Sequence, residues 1–216
     1  MATADLHAIE HWGHADAGGT WTSEDLLGWL QMDVRTAARH RELPASDRTR
    51  LLPIQSSLTV VEQALERIGS VELTEVDAIV PLGFMADAAG RLAVGRDWLQ
   101  LGSGDAGRQI AVHVDVDAPR DTPLDVAGIV ECMTALGGEV LGPIDVRPRD
   151  PDANPAGPPA AQFVGRSFSA GATRLACATH RWSVDFAAWT IELVAHACRR
   201  PGVEGGLLVA VRREDA

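Results

Sequence analysis

Apolar residues recur every three to four positions up to about residue 70 and at closer to every second position from Val71 onward, so helices should precede a sheet. Residues 22–43 have the spacing of an amphipathic helix that ends before Pro44. A second helix is predicted to begin at Pro53 and to end near Gly69. Each helix has one apolar face, so we expect the pair to pack on the sheet that follows.

The shorter period after Val71 predicts the strands of that sheet, at residues 76–83, 91–101, 108–117, 140–147, 162–169, 173–182 and 206–213. Two helices, at residues 122–136 and 183–200, are predicted between them, and Ser183 is the expected cap of the second. The predicted fold class is therefore an α/β (α+β) sandwich, with an N-terminal helical pair followed by a mixed β-sheet with crossover helices. The order of elements also fits a duplicated β-β-α-β unit.

Three segments are predicted along the chain. Residues 1–19 are expected to be a flexible N-terminal segment, residues 20–70 to hold the helical pair, and residues 71–216 to form one mixed α/β domain. A Pro-rich loop at residues 148–160 interrupts this domain, because proline is excluded from helix interiors and central strands. The loop is either an ordered crossover or a mobile flap.

The charge of the chain disfavours several kinds of partner. The 216 residues include 30 Asp and Glu against 19 basic residues, and this net charge of -11 repels nucleic acid. Every basic residue is an arginine, which excludes chemistry that needs a lysine Schiff base. No apolar run approaches the roughly 20 residues of a membrane helix, and the N-terminus does not resemble a leader. We therefore expect a cytoplasmic protein without membrane contact.

The sequence predicts no bound metal. Its three cysteines lie in apolar surroundings without metal-ligand spacing, as is typical of reduced, buried thiols: Cys132, Cys177 and Cys198. Three N-terminal histidines would share one face of a helix and could hold a divalent cation: His7, His11 and His14. No second segment orients these imidazoles, so ordinary surface histidines are the favoured interpretation.

Residues 102–107, GSGDAG, have the spacing of a dinucleotide-binding loop. In that motif the loop opens a helix whose N-terminus binds pyrophosphate, whereas the predicted strand 108–117 follows here. A hairpin loop is the favoured interpretation, and no cofactor is predicted.

The candidate site lies on the predicted strand 108–117. His113, Asp115 and Asp117 alternate with three valines, so the valines should face the helices and the polar side chains the opposite side. A solvent-facing strand has the same pattern. The alternative is a pocket in which Asp115 raises the pKa of His113 and makes it a general base, or in which the trio holds a metal. His180 joins His113 and Asp115 as a predicted catalytic residue if strand 173–182 is a neighbour.

Arginines are concentrated near the Pro-rich loop and in the second half of the chain. Arg147 and Arg166 are, with Asp117, the predicted substrate-binding residues, because guanidinium groups bind carboxylates and phosphates through two hydrogen bonds. An anionic small molecule is the corresponding partner. The alternative is that these arginines pair with nearby acidic residues of the same protein.

Two functions of different classes fit these features. The first is a small-molecule-acting cytosolic protein, a cofactor-independent enzyme or a ligand-binding protein, that uses the His/Asp-lined sheet face for acid–base chemistry. The alternative is a non-catalytic accessory protein that binds a protein partner through its N-terminal helices or exposed tryptophans. A homo-oligomer is compatible with either function.

A polar stripe on helix 183–200 is expected to face solvent, with an interface as the alternative: Asp185, Trp189, Glu192 and His196.

Overall fold

The computed structural model describes residues 9–17, 30–36, 54–67, 69–70, 72–81, 88–101, 109–118, 122–148, 173–199 and 206–214. The chain divides into two compact units, residues 1–49 with 154–159 and residues 50–153 with 160–216. The three predicted segments do not map directly onto these two units, and the flexibility of residues 1–19 stays a prediction.

The first unit contains one antiparallel pair, β1 (Ile9–Ala17) and β2 (Leu30–Thr36). The helix predicted for residues 22–43 is therefore wrong over residues 30–36, and the rest of that range lies outside the described residues. Leu30, Met32 and Val34 alternate with polar residues, so the strand period was present in the sequence. The helical face predicted for the histidines is also wrong for His11 and His14, because both lie in β1; His7 lies outside the described residues.

The described residues of the second unit form the main sheet and four α-helices. In chain order its elements are α1 (Ile54–Glu66), β3 (Glu75–Pro81), α2 (Ala89–Leu101), β4 (Ile110–Asp117), α3 (Val126–Gly137), β5 (Asp145–Pro148), β6 (Thr173–Thr179), α4 (Val184–Ala197) and β7 (Gly206–Arg213). The second predicted helix and the helices at 122–136 and 183–200 are confirmed as α1, α3 and α4. The strand predicted at 91–101 is wrong, because these residues lie in α2, and the strand predicted at 162–169 lies outside the described residues.

The five strands of the main sheet have the order β3-β7-β4-β6-β5, and every neighbouring pair is antiparallel. The combination of helices with a sheet is as predicted, but the mixed sheet is wrong. The helical crossovers β3-α2-β4, β4-α3-β5 and β6-α4-β7 each join parallel strands that have an antiparallel strand between them.

The part of the chain from β4 to β7 has the element order βαββαβ and the strand order β7-β4-β6-β5, which is the split βαβ, or ferredoxin-like, arrangement. Strand β3 adds a fifth strand beside β7. The duplicated β-β-α-β unit is not observed, because its first strand would be α2. Residues 102–107 connect α2 to β4, so the predicted hairpin loop is wrong as well, although the loop itself lies outside the described residues.

Local capping explains where two of the helices begin and end. The Asp125 carboxylate accepts a hydrogen bond from the Gly128 N–H, and Ser183 Oγ accepts one from the Phe186 N–H, as expected for N-cap residues. Helix α3 ends at Gly138, whose φ of 53° is unfavourable for residues with a Cβ atom. Its N–H bonds to the Thr134 carbonyl.

The core lies between the helices and one face of the sheet, and α4 is at its centre. Phe186, Ile191 and Leu193 of α4 are fully buried with the valines of β4. The solvent-facing stripe predicted for α4 is wrong for Trp189 and Glu192, which are buried, whereas Asp185 and His196 are half-buried. The Trp189 indole N–H donates to the Leu92 carbonyl of α2 at 3.0 Å.

Two further contacts between α2 and α4 involve polar groups that the sequence placed in solvent. Glu192 accepts a hydrogen bond from Arg91 at 3.0 Å, and burial raises the pKa of Glu192 despite this cation. His196 Nδ1 accepts from the Ala88 N–H at 3.4 Å. Glu192 and His196 thus each contact the α2 region.

Candidate functional site

Strand β4 separates the core from a polar face of the sheet. Val112, Val114 and Val116 are fully buried on the helix side, and His113, Asp115 and Asp117 lie on the opposite side. The alternation predicted from the sequence is confirmed for these residues. We call this opposite side the polar face; its charged and histidine residues come from all five strands: Glu75, Asp77, His113, Asp115, Asp117, Asp145, Arg147, Arg174 and Arg212.

The strand register arranges most of these residues in two rows across the sheet. The first row runs Glu75, Arg212, His113, Ala176 and Asp145. The second row runs Asp77, Ala210, Asp115, Arg174 and Arg147. Directly opposed side chains in an antiparallel pair lie close enough to interact, so each row places acidic and basic groups side by side.

Asp115 and Arg174 form a buried ion pair with two hydrogen bonds on the polar face. Arg174 Nε and Nη2 donate to the two carboxylate oxygens of Asp115 at 2.7 and 2.9 Å. Only 5% of the Asp115 side chain and 13% of the Arg174 side chain are exposed. Both carboxylate oxygens of Asp115 accept from one guanidinium, so Asp115 suits a positioning role better than its predicted catalytic role.

Arg212 lies between the carboxylates of Glu75 and Asp115, and its guanidinium group is only partly hydrogen-bonded. Its Nη2 donates to Glu75 Oε1 at 2.6 Å and lies 4.0 Å from Asp115 Oδ2. Its Nε is buried and has no hydrogen-bond partner among the described residues. The Arg212 Nε–H is therefore a buried donor that could bind an acceptor oxygen of a ligand.

His113, the next residue in the first row, also has a ring nitrogen without a hydrogen-bond partner among the described residues. Its Nε2 lies 3.3 Å from Glu214 Oε2, but without the alignment of a hydrogen bond, and it is buried without a partner in the described part of the chain. Burial lowers the pKa of His113, and the effects of Glu214 and Asp115, which would raise it, are smaller. Asp115 does raise this pKa, as predicted, but burial outweighs it, so the net shift is downward and favours the neutral imidazole.

The Glu75–Asp77 pair is the titratable feature that the sequence analysis missed. The Asp77 side chain is accessible to water, yet many protein atoms crowd its carboxyl group. This partial desolvation, followed by the charge and hydrogen bond of Glu75, raises the pKa of Asp77 to about 7, and Arg212 opposes the shift only in part. The signal was available, since Glu75-Val76-Asp77 alternates in the same way as the residues of β4.

The remaining predicted site residues are not brought to His113. His180 is exposed after the end of β6, four residues beyond Ala176, which pairs with His113, so roughly 13 Å of strand separates the two histidines. Arg147 is half exposed and donates to Asp145 at 3.0 Å. Arg166 lies outside the described residues.

Cysteine chemistry is not supported at the polar face. Cys177 is buried in the core, and desolvation raises the pKa of its thiol to about 12, so it is an inert thiol, as predicted. In the described ranges, no three His, Cys, Asp or Glu side chains are grouped so that they could hold a metal ion.

Comparisons with protein-family models, with curated proteins and with solved structures find no match for this chain. Each helix within the described residues is too short or too polar to cross a membrane. Function therefore has to be inferred from the geometry of the polar face.

Proposed function

We propose that the protein binds a small, oxygen-bearing molecule on the polar face and exchanges protons with it. The observation that carries this proposal is the adjacency of Arg212 and His113, each with a buried nitrogen that lacks a hydrogen-bond partner in the described residues. Leaving such a group unpaired costs about 1–3 kcal/mol. A ligand oxygen that accepts from Arg212 Nε–H would remove this cost.

His113 is the candidate proton acceptor. A neutral imidazole has one nitrogen that donates and one that accepts, and burial keeps His113 in this neutral form at pH 7. A hydroxyl or ammonium group of a ligand bound at Arg212 could donate to His113 and lose its proton there. Asp115 and Arg174, in the second row, would hold the neighbouring strands in register and position His113.

The Glu75–Asp77 pair supplies a second place where a proton can be held. Asp77 changes charge near pH 7, and Arg212 lies between this pair and His113. Protonation of Asp77 removes one negative charge beside the arginine, so an anionic ligand should bind more tightly as the pH falls through about 7. The predicted substrate-binding residue Arg147 donates to Asp145 through its Nε, whereas the Nε of Arg212 has no partner among the described residues. We therefore place the anion at Arg212.

The binding half of the proposal is tested with inorganic phosphate and succinate as probes, by following the Arg212 Nε–H and His113 ring signals in NMR titrations. Arg212→Gln should abolish the response. Arg213→Gln is the matched control, because Arg213 is the next residue of β7 and pairs with Glu72. Binding to Arg212→Gln with wild-type affinity, or no response of the wild-type protein to either probe, would contradict the proposal.

The acid–base half predicts that His113→Ala impairs function more than stability, whereas Val114→Ala does the reverse. Val114 is fully buried, and removing two methyl groups there costs on the order of 1–3 kcal/mol. Loss of a general base lowers a rate by roughly 10²- to 10⁴-fold. Melting temperature and ligand binding or turnover are measured for both variants. An unfolded His113→Ala protein, or one with full activity, would remove His113 from the site.

A further inference from the structure

Helix α2 has apolar side chains on the side that faces away from the core. Leu92 and Leu99 are buried against the other helices. Val94, Trp98 and Leu101 are 69%, 65% and 82% exposed. Their spacing of i, i+4 and i+7 places these three side chains in one stripe, which we call the α2 stripe.

The α2 stripe is large enough to matter for binding. The three side chains together expose roughly 400 Å², which is the size of the largest apolar patches on typical monomers, and such patches often mark interaction sites. Tryptophan is also the residue type most enriched where binding energy is concentrated. The exposed residue Asp97 adds a carboxylate at the side of the stripe, and Arg96 donates to its Oδ1 at 2.8 and 3.0 Å.

The area of the α2 stripe and the net charge of the chain both indicate what kind of partner binds there. A stable dimer buries about 800 Å² on each copy, about twice the area of the α2 stripe. Two copies of a chain with a net charge of -11 also repel each other. A single helix of a second protein needs less area, and the net charge of the chain attracts a basic partner.

We propose that the α2 stripe is a docking surface for a short amphipathic helix with an apolar face flanked by Lys or Arg, carried by another protein. Trp98 is the anchor, Val94 and Leu101 extend the apolar contact along α2, and Asp97 pairs with a basic side chain of the partner. This interaction is independent of ligand binding at the polar face, because it uses none of the residues of the two rows.

The test uses the full chain and a fluorescent, helix-forming peptide of about 14 residues built from Leu and Lys, with binding followed by anisotropy. Trp98→Ala should weaken binding at least about tenfold. Val94→Ala should weaken binding severalfold, whereas Val60→Ala should not. Val60 is the matched control, since it is a 51% exposed valine on α1. All three substitutions lie outside the core, so melting temperatures should stay close to the wild-type value.

Two further measurements test the charge of the partner and whether the partner is a second copy of the chain. Asp97→Asn should weaken binding of the Leu/Lys peptide, and a Leu/Glu peptide of the same length should not bind. Equal binding of both peptides, or equal effects of Val94→Ala and Val60→Ala, would overturn the proposal. So would self-association of the chain that Val94→Ala abolishes in sedimentation experiments, since the stripe would then belong to a second copy.

Discussion

The substitutions Gly95→Ala and Gly90→Ala, both on α2, should change stability in opposite directions. A Cβ atom at Gly95 would lie 2.7 Å from Trp189 Cδ1 and 3.1 Å from Trp189 Nε1, closer than real contacts allow. The indole cannot move away without loss, because its N–H bonds to the Leu92 carbonyl at 3.0 Å and its ring packs near Phe186. No atom lies within 4 Å of a Cβ at Gly90.

The expected magnitudes follow from two competing effects. Replacing glycine by alanine inside a helix favours the helix by about 0.8–1.0 kcal/mol, and by less near its start, where Gly90 lies. At Gly95 the added methyl group overpacks a well-filled site, which costs about 1–3 kcal/mol, and displacing the indole weakens a hydrogen bond of about 1 kcal/mol. We therefore expect Gly90→Ala to stabilise the protein by up to about 0.8 kcal/mol and Gly95→Ala to destabilise it by about 1–3 kcal/mol.

Urea unfolding followed by circular dichroism measures both values, and equal m-values would show that the same cooperative unit unfolds in both variants. If Gly95→Ala is as stable as Gly90→Ala, Trp189 does not pack against α2. If Gly90→Ala destabilises the protein as well, residues 89–101 are not a helix with this exposed face. Either result would refute the packing of α2 on α4.

Two further predictions concern charges of the polar face. Arg174→Ala should destabilise the protein by about 3–5 kcal/mol in urea unfolding, because it leaves the buried Asp115 carboxylate without its guanidinium; a loss below 1 kcal/mol would mean that the pair is solvated. Asp77→Asn should change the pH dependence of stability. The raised pKa of Asp77 favours folding at low pH, and this contribution is lost as the pH rises through about 7, so the variant should be the more stable protein above pH 7. Water screens this accessible carboxyl, so we expect a difference of about 1 kcal/mol, vanishing towards pH 4; equal pH profiles would contradict the prediction.

Elements with one buried face and one polar face could be predicted from the sequence. Strand β7 has the bounds expected for residues 206–213, and α4 begins after its predicted cap, Ser183. In both elements, apolar spacing, turn residues and local hydrogen bonding favour the same structure. The faces of β4 were predictable for the same reason, since a period of two fixes which side chains share a side.

Helix α2 was misread as a strand because its apolar residues lie on two sides. Leu92 and Leu99 form the core side, while Val94, Trp98 and Leu101 form the α2 stripe, and together they hide the helical period. The residues proposed as a docking surface are thus the residues that obscured the helix.

Neighbouring strands could not be predicted from any local pattern. The rows of the polar face depend on β7 lying between β3 and β4, which brings Arg212 between Glu75 and His113. Periodicity identifies a strand and its faces but not its partners, so the polar residues of β4 were predictable, whereas the roles of Arg212 and the Glu75–Asp77 pair were not. Arg174, recognised only as a member of an arginine-rich region, became part of the site through its pairing with Asp115.

The position of β7 has a consequence for how the sheet is completed. Strand β7 follows all the other strands of the main sheet in the sequence, yet it lies between β3 and β4 and, within the described ranges, is the only strand paired with β3. On a ribosome, β3 has no strand to pair with until about 130 later residues have been synthesised, since β3 ends at Pro81 and β7 ends at Arg213. Pairings between such distant segments make folding slow, because a long loop must close before the contact forms. During that time the apolar side of β3 is exposed to other chains, and a chaperone that covers it would raise the yield of folded protein.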